Sequence, residues 1–470
     1  MGISVELDSL VQLHLGLGSF HRAHQAVYMQ NLHDIGYTQW SIVAGNLRDD
    51  MQSTIDALRS QNNEYTLETI NANGEHNYQR IKSIKSIIDW DRELEGLTAI
   101  AANESTKVIS FTVTEAGYYL DENNNLDDSH DDLRNDLEGK ARSTIYGALS
   151  HFLRTRMELN GKPVTLLNCD NVRSNGTKIK ASLLDFIQRI GDTELYEWVV
   201  KNTSSPNSMV DRITPRPTNE VAERVLKATG KLDSAALMGE SFTQWVIEDN
   251  FIAGRPEWER VNVTMVDDVE PFEEAKIRIL NGAHSCIAWA GTLRLYNYIH
   301  EGMKDSEVRE FAYNYVTNGV IPCLNDSEHC SPMNLFEYRD IVLERFSNPN
   351  IQDTNQRVAM DAFSKIPSFI LPTIIDSMKA GRSIDDVAIL PALFLVFLIH
   401  RQRGEIPFEY EDQAMDEASV KTIVTAKDPV AAFANDRILF KEISGDALLV
   451  GSLRKAYEKV IGFAELTPSL

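Results

Sequence analysis

The sequence predicts an α/β protein of two domains, an N-terminal parallel-sheet domain followed by a mostly α-helical C-terminal domain. The chain has 470 residues, which is too long for one ordinary core, and its composition, 43% hydrophobic and 24% charged, is typical of globular proteins. Short β-branched segments alternate with helical periodicity in the first half, whereas the second half is helical almost throughout. We place the boundary near residue 270, giving domains of residues 1–270 and 271–470.

The strand-like segments of the first domain are separated by helix-like intervals. This alternation is typical of parallel strands joined by crossover helices. The predicted strands cover residues 11–15, 40–44, 108–113, 164–167 and 261–266.

In the second domain one apolar run, residues 387–399, is shorter than the roughly 20 residues that span a bilayer, so we predict a buried helix and no membrane segment.

Charge and cysteine content exclude several classes of protein. A formal net charge of -23 opposes binding to nucleic acid, which depends on basic side chains, and favours a small-molecule partner. The N-terminus carries no recognisable targeting signal, so we expect a cytoplasmic protein. The same compartment is indicated by the cysteines, which are too few and too scattered for a disulfide framework: Cys169, Cys286, Cys323 and Cys330.

A glycine turn follows the first predicted strand. Gly16 and Gly18 would let the backbone approach a pyrophosphate held at the start of the next helix. The usual fingerprint has a third glycine where His21 stands here, so an ordinary glycine turn remains the alternative. Arg22 offers a charge-assisted contact to phosphate, and its alternative role is that of a polar residue in the first helical turn.

Acidic residues follow the second predicted strand. A carboxylate at this place binds the adenosine ribose and favours NAD over NADP, and Asp49 and Asp50 are the candidates. They lie further from the glycine turn than the usual spacing of about 20 residues, and Arg48 beside them could instead bind a 2′-phosphate.

A group of residues suited to acid–base chemistry occurs in residues 272–285, FEEAKIRILNGAHS. On a helix that turns by about 100° per residue, its polar side chains share a face about 140° wide. A solvated face is the alternative, but apolar residues on the same side indicate burial, and buried polar groups need partners or a task. Burial lowers the pKa of a lysine, and its neutral amine can accept an alcohol proton. The four side chains are Glu273, Lys276, Asn281 and His284.

A second amide is available in the segment that follows a predicted strand, residues 165–176. Catalytic groups gather at the carboxyl ends of parallel strands. We therefore expect Asn171 to act with Asn281 as a pair of donors to a developing alkoxide.

Five motifs spread over nearly the whole chain resemble those of the polyol-specific long-chain dehydrogenases, the mannitol dehydrogenase family. The spacing of lysine, asparagine and histidine is the specific part of this resemblance. The motifs are GLGSFHRAH at residues 16–24, TEAGY at 114–118, CDN at 169–171, MVDRITP at 209–215 and KIRILNGAH at 276–284.

The resemblance implies a Rossmann-type first domain, an α-helical second domain and metal-independent hydride transfer with NAD in the cleft between them. It also implies a sugar alcohol as substrate, and within the family it is strongest toward members that oxidise D-arabinitol to D-xylulose. A monomer is expected.

The same resemblance assigns roles to individual residues. Lys276 is the general base, Asn171 and Asn281 form the oxyanion hole, and His284 orients the alcohol. Glu273 relays the proton to solvent. Arg357 and Lys365 match positions that bind polyol hydroxyls, and on one helix they would share a face. Asp211 matches an acidic residue near the nicotinamide. The positions assigned to cofactor binding are Gly16, Gly18, Ser19, Phe20, Arg22, Asp49, Asp50 and Glu115.

Several alternatives stay open. D-mannitol oxidation and reduction of a fructuronate-type hexuronate are alternative reactions, and a non-catalytic nucleotide sensor is an alternative of a different class. A zinc enzyme would need ligands such as Cys323, His329 and Cys330, which lack the expected paired spacing, so no metal is predicted. A short-chain dehydrogenase is indicated only by Tyr78 and Lys82, which come before most of the predicted sheet.

Overall fold

A computed structural model of the protein describes residues 9–121, 124–326, 332–412 and 414–465. The chain forms two compact units. One runs to Val269, apart from Ala72–Gly74, and the other contains those three residues and the chain from Glu270 onward.

The first unit contains a parallel sheet and two smaller sheets. Its strands are β1 Leu10–Leu15, β2 Trp40–Gly45, β3 Tyr65–Ile70, β4 His76–Ile81, β5 Ile84–Ile87, β6 Thr106–Phe111, β7 Val164–Asn168, β8 Thr203–Ser204, β9 Ser208–Asp211, β10 Leu237–Glu240, β11 Gln244–Glu248 and β12 Thr264–Val266.

Helices occupy the intervals between these strands. They are α1 Ser19–Ala23, α2 Gln25–Asp34, α3 Gln52–Ser60, α4 Glu95–Ala101, α5 Asp131–Leu137, α6 Ile145–Leu159, α7 Asn175–Arg189, α8 Thr193–Asn202 and α9 Asn219–Thr229, with 3-10 helices at Glu115–Tyr118 and Trp258–Val261.

The main sheet has the strand order β5-β2-β1-β6-β7-β8, with parallel pairing. Each face of this sheet packs against its own hydrophobic core. In β2, Ile42 belongs to one core and the next residue, Val43, belongs to the other. A parallel sheet buried on both faces explains why its strands are almost continuously apolar in sequence. The order reverses between β1 and β6, and such a reversal opens a crevice at the carboxyl ends of the strands. The predicted Rossmann-type fold is confirmed.

Four of the five predicted strands correspond to β1, β2, β6 and β7. The prediction for residues 261–266 is wrong in its first half, because the 3-10 helix Trp258–Val261 precedes a left-handed Asn262 with φ of 68°. Only Thr264–Val266 is a strand, and it pairs with β11 outside the main sheet.

The two smaller sheets have the orders β10-β3-β4 and β12-β11-β9. Arg212 connects them to the glycine-turn region, since its Nη1 donates to the Ala23 carbonyl at 2.6 Å and its Nε to the Glu240 carbonyl at 3.0 Å. Tyr78 lies in the antiparallel strand β4, so the helical Tyr-x3-Lys arrangement of a short-chain dehydrogenase is not formed there.

The described part of the second unit is built from helices. They are α10 Glu270–Ala275, α11 Gly282–Leu293, α12 Ile299–Gly302, α13 Ser306–Asn314, α14 Ile321–Asn325, α15 Leu335–Phe346, α16 Asn355–Ala359, α17 Ala362–Lys365, α18 Leu371–Lys379, α19 Asp385–Gln402, α20 Glu417–Val424, α21 Pro429–Ala434, α22 Arg437–Phe440 and α23 Ala447–Glu465, with π-helices at Lys276–Asn281, Tyr315–Val320 and Ile366–Ile370 and a 3-10 helix at Lys441–Ile443.

The core of this unit surrounds α11 and α19. Residues 387–398 are buried throughout α19, which confirms the buried helix predicted for this run. Among the described residues, no helix is both long and apolar enough to cross a bilayer.

Candidate active site

A π-helical turn carries two of the predicted catalytic residues. Sequence periodicity predicts one regular helix over residues 272–285, but α10 ends at Ala275, a π-helix covers Lys276–Asn281, and α11 begins at Gly282. A π-helix pairs residue i with residue i+5, which is the separation of Lys276 and Asn281. The angular positions predicted beyond Lys276 are therefore wrong, because the wider turn rotates the following residues.

Burial of this segment agrees with the prediction. Glu273 and Lys276 are 5% and 6% exposed, and Asn281 and His284 are partly buried. A solvated helix face is thereby excluded. Glu273 and Lys276 both have polar or electrostatic partners.

His284 is held by two neighbours within the second unit. Its Nε2 lies 3.1 Å from Oδ2 of Asp353, and its ring stacks on Phe346 at 4.4 Å between centroids. Burial lowers the pKa of His284, and this effect outweighs the opposing influence of Asp353. The imidazole is therefore neutral at physiological pH.

Asp353 contacts His284 but is not among the site residues predicted from the sequence. It is 8% exposed, and its carboxylate accepts hydrogen bonds from Arg357 Nε at 2.8 Å and Nη2 at 2.7 Å. The available signal was the separation of four residues between Asp353 and Arg357, a spacing at which opposite charges meet on a helix.

Arg357 and Lys365 do not share one helix, so that part of the prediction is wrong. Helix α16 ends at Ala359, and Asp361 has a left-handed φ of 57° before α17 begins. Lys365 donates from Nζ to the Val358 carbonyl at 2.7 Å, and burial lowers its pKa to about 8. Both cations nevertheless act electrostatically on His284, which places them in one polar cluster with Asp353.

In the first unit, the glycine turn lies where β1 ends at the reversal of strand order. Gly16 has φ of +103°, and a Cβ there would lie 2.4 Å from the Thr112 carbonyl oxygen, so a side chain is excluded on two counts. A Cβ at Gly18 would meet nothing within 4 Å, which leaves open space beside the turn. Ser19 begins α1, and Phe20 stacks on His24 at 5.0 Å.

Two histidines occupy the space behind this turn. His14 contacts Ser110 Oγ at 2.9 Å through Nδ1 and the Gly16 carbonyl at 3.1 Å through Nε2. His21, which replaces the third glycine, stacks on His14 with 3.5 Å between ring centroids. Burial lowers the pKa of His14 to about 3 and also lowers that of His21, so both rings are neutral.

Arg22 points into the protein. It is 3% exposed, its Nη1 donates to the Ala235 carbonyl at 2.8 Å, and its guanidinium lies over the Tyr65 ring. This placement favours the alternative of a structural residue in the first helical turn over a contact to phosphate.

Asp49 and Asp50 are exposed in the segment that follows β2, the place predicted for a ribose-binding carboxylate. Arg48 beside them donates to Asp132 Oδ2 at 2.7 Å and to the Tyr119 hydroxyl at 2.6 Å. A 2′-phosphate would have to compete with these bonds, so the geometry favours NAD.

A buried carboxylate organises the carboxyl ends of β6 and β7. Asp170 accepts hydrogen bonds from Val113 N at 3.0 Å, Thr114 N at 2.9 Å and the Tyr118 hydroxyl at 3.0 Å. Burial raises the pKa of Asp170, while these bonds oppose the rise.

Two predicted site residues adjoin this network in the sequence, since Glu115 follows Thr114 and Asn171 follows Asp170. Glu115 begins the 3-10 helix Glu115–Tyr118. Asn171 is exposed just beyond the end of β7, as expected for a group at the carboxyl end of a parallel strand. Asp211 is elsewhere, 5% exposed at the end of β9 opposite Gln244 of β11.

Among the described residues, no group of three or more His, Cys, Asp or Glu side chains is arranged to hold a metal ion. Cys323 is buried and its Sγ contacts Ser377 Oγ at 3.2 Å. His329 and Cys330 lie outside the described residues.

Two family models together match most of the chain. Residues 11–260 match the family model of the mannitol dehydrogenase Rossmann domain, and residues 268–461 match that of the mannitol dehydrogenase C-terminal domain.

Named relatives with similar sequences include two D-arabinitol 4-dehydrogenases. That of Ralstonia nicotianae is 51% identical over 96% of this chain and 96% of the relative. That of Klebsiella pneumoniae is 47% identical over 94% and 96%. A mannitol 2-dehydrogenase of Neosartorya fischeri is 35% identical over 93% and 86%.

Two solved structures have a similar fold. A D-sorbitol dehydrogenase in substrate-free form has a TM-score of 0.85 and 29% identity, covering 98% of this chain and 95% of that one. A Pseudomonas fluorescens mannitol 2-dehydrogenase in ternary complex with NAD and D-mannitol has a TM-score of 0.81 and 28% identity, covering 97% and 94%.

Proposed function

The chain belongs to the mannitol dehydrogenase family and is a polyol dehydrogenase, and on that premise we propose that it oxidises D-arabinitol to D-xylulose with NAD+. The observation that carries the choice of substrate is the difference in identity, 51% and 47% to D-arabinitol 4-dehydrogenases against 35% to a mannitol 2-dehydrogenase.

The glycine turn fits a dinucleotide. The open side of Gly18 can admit a pyrophosphate, Ser19 and Phe20 begin the helix beside it, and Asp49 or Asp50 can accept hydrogen bonds from the ribose. Glu115 is assigned to the same cofactor site. Bound NAD+ supplies the acceptor for a hydride. We omit Arg22 from this set because its guanidinium is committed within the protein.

Lys276 is assigned as the general base. Nζ of the uncharged lysine would accept the proton of the C4 hydroxyl of D-arabinitol. As the C–O bond becomes a carbonyl, the C4–H bond would break and its hydride would pass to NAD+ held beside the glycine turn. The lysine then passes its proton on, and the buried Glu273 is the group assigned to relay it toward solvent.

The remaining assignments concern binding of the substrate. Amide groups of Asn171 and Asn281 donate to the oxygen while it is anionic. His284 orients the alcohol, and Arg357 and Lys365 hold other hydroxyls. Asp211 is assigned to the surroundings of the nicotinamide and the lysine.

Initial rates followed at 340 nm test the substrate and the cofactor together. We expect the highest kcat/KM with D-arabinitol and NAD+, a smaller value with D-mannitol and D-sorbitol, and a smaller value again with NADP+. D-Mannitol is the second candidate because it shares the stereochemistry around the oxidised carbon, and one additional hydroxymethyl group rarely gives strong discrimination. Faster reduction of fructuronate would replace the proposed reaction, and binding of NAD+ without any turnover would indicate a sensor.

We also propose that the enzyme is a monomer in a reducing, cytoplasmic compartment. Cys169, Cys286 and Cys323 are buried free thiols, as expected there. The net charge of -23 opposes a nucleic-acid partner. Light scattering at working concentration tests the oligomeric state.

A further inference from the structure

We propose that Asp353 is a positioning residue for His284, which fixes the imidazole proton on Nε2 and leaves Nδ1 as the acceptor for a substrate hydroxyl. This inference rests on the proposed function for the identity of that hydroxyl and for the role of His284 in orienting it. The placement of the proton is a property of the second unit by itself.

The contact geometry selects one ring nitrogen. Nε2 of His284 is buried and lies 3.1 Å from Asp353 Oδ2, and among the described residues this carboxylate oxygen is the polar atom that faces it. The two atoms are within hydrogen-bonding distance, but the N–H is not aligned on the oxygen as in a linear hydrogen bond. Phe346 stacks on the ring with 20° between the planes, so the ring cannot rotate freely to exchange its two nitrogens.

The charge state follows from burial and from the groups that face the ring. Burial lowers the pKa of His284; Asp353 opposes this effect, whereas Arg357 and Lys365 add to it. For Asp353, burial acts to raise the pKa, but the hydrogen bonds and charges of His284 and Arg357 lower it to about 2. An ionised carboxylate can only accept hydrogen bonds, so its contact with a neutral imidazole favours the tautomer that carries the proton on Nε2.

Asp353 is itself held in place. Arg357 binds both carboxylate oxygens, and the Asp353 carbonyl accepts a bond from Ile299 N at 3.0 Å. Arg357 uses Nε and Nη2 for this contact, so the donors of Nη1 remain for a hydroxyl of the polyol. The Asp353 carboxylate thus orients a hydrogen-bond acceptor, Nδ1 of His284, and a hydrogen-bond donor, Nη1 of Arg357.

The tautomer decides what His284 can do. With the proton on Nε2, the Nδ1 lone pair accepts a hydrogen bond from a hydroxyl and turns that hydroxyl in a defined direction. In Asp353→Asn, the amide can present an N–H to Nε2, which favours the proton on Nδ1 and converts the acceptor into a donor. We expect kcat/KM for the polyol to fall by about 10- to 100-fold, as on loss of the group that orients a functional imidazole, with little change in KM for NAD+.

The test is ¹⁵N NMR of the full-length protein with ¹⁵N-labelled histidine, recorded without polyol. His284→Gln identifies the His284 signals among the 11 histidines. We expect a protonated Nε2 and an unprotonated Nδ1 in the wild type, loss of that pattern in Asp353→Asn, and its return in Asp353→Glu. Glu417→Gln is the matched control, since Glu417 also binds an arginine through both oxygens, at 2.9 and 2.6 Å, in the same unit.

The outcomes separate the two proposals. A proton on Nδ1 in the wild type overturns the role of Asp353 whether or not the variants fold. An unchanged His284 pattern in a folded Asp353→Asn protein overturns it as well. A protonated Nε2 in an enzyme that oxidises no polyol supports the placement by Asp353 and instead rejects the proposed function.

Discussion

The hydroxyl of Tyr315 donates a hydrogen bond of 2.9 Å to the carbonyl oxygen of Arg278, inside the π-helical turn Lys276–Asn281. Tyr315 is fully buried. A Cβ at Gly282 would lie 2.3 Å from the same hydroxyl, so the glycine that begins α11 leaves room for it. Arg278 also donates to Glu274 at 2.7 Å and to Asp376 at 2.6 Å, which fixes the turn from its other side.

Tyr315→Phe should therefore impair turnover as well as stability. Loss of one buried hydrogen bond lowers the free energy of unfolding by about 1 kcal/mol, and a shifted turn misplaces Lys276 and Asn281, so kcat should fall several-fold. Tyr296→Phe is the control, because it removes another tyrosine hydroxyl hydrogen bond, 3.1 Å to Asp305, from a partly buried position in the same unit. Equal kcat values for the two variants would show that the Tyr315 bond has no influence on the catalytic turn.

Gly16→Ala should abolish tight binding of NAD+. The new methyl group would collide with the Thr112 carbonyl at 2.4 Å, and any shift moves the turn on which the pyrophosphate is proposed to lie. Gly36→Ala imposes a similar backbone strain, with φ of +94°, but has nothing within 4 Å. In fluorescence titrations we expect NAD+ affinity to fall at least tenfold in the first variant and to stay unchanged in the second. Similar losses in both would mean that strain alone is responsible.

Asp49→Asn and Asp50→Asn, made separately, test the choice of cofactor. A hydrogen bond to a charged group contributes about 1.5–3 kcal/mol, so the variant that lost the ribose contact should have a kcat/KM for NAD+ about 10- to 100-fold lower. The loss with NADP+ should be smaller, because a 2′-phosphate is no longer repelled. Asp56→Asn removes another negative charge in helix α3 of the same unit and should alter neither value. Unchanged cofactor preference in both variants would reject these carboxylates as the ribose site.

The buried histidine behind the glycine turn makes stability depend on pH. His14 has its pKa lowered from 6.5 to about 3 by burial. Below about 6.5 the unfolded chain binds a proton that the folded protein does not, so stability is unaffected above this pH and is lost as the pH falls toward 3. The loss is about 1.4 kcal/mol per pH unit for this one group.

Urea unfolding of the wild type and of His14→Gln between pH 4.5 and 7.5 isolates this contribution. We expect the two curves of stability against pH to run parallel above 6.5 and the wild-type curve to fall more steeply below it. Parallel curves over the whole range would mean that His14 is protonated in the folded state.

The sequence was most informative about strands whose burial is visible as a short run of mainly apolar residues. Strands β1, β2, β6 and β7 are buried on both faces and therefore largely apolar, and their predicted bounds lie within two residues of those in the structure. Strand β4, His76–Ile81, consists mainly of polar residues, so its composition gives no strand signal and it was not predicted. It is stabilised by its pairing in a separate three-stranded sheet.

The site shows the same contrast. Lys276 and Asn281 were found by their spacing, but the π-turn was not, since an assumed period of 3.6 residues cannot reveal a change of period. Arg22 carries the charge expected of a phosphate ligand, yet only the structure shows that this charge is buried against the Ala235 carbonyl. Asp353 is far from His284 in sequence, and their contact arises only because the segment that precedes α16 packs beside α11.

The role of the buried lysine can be measured by replacing it. In Lys276→Ala we expect NAD+ to bind with unchanged affinity, while the rate of D-arabinitol oxidation falls by about 100- to 10,000-fold, the contribution of a general base. Lys379→Ala, which removes an exposed lysine of α18, should retain the wild-type rate. Oxidation by Lys276→Ala at the rate of that control would contradict proton abstraction by Lys276 and with it the proposed mechanism.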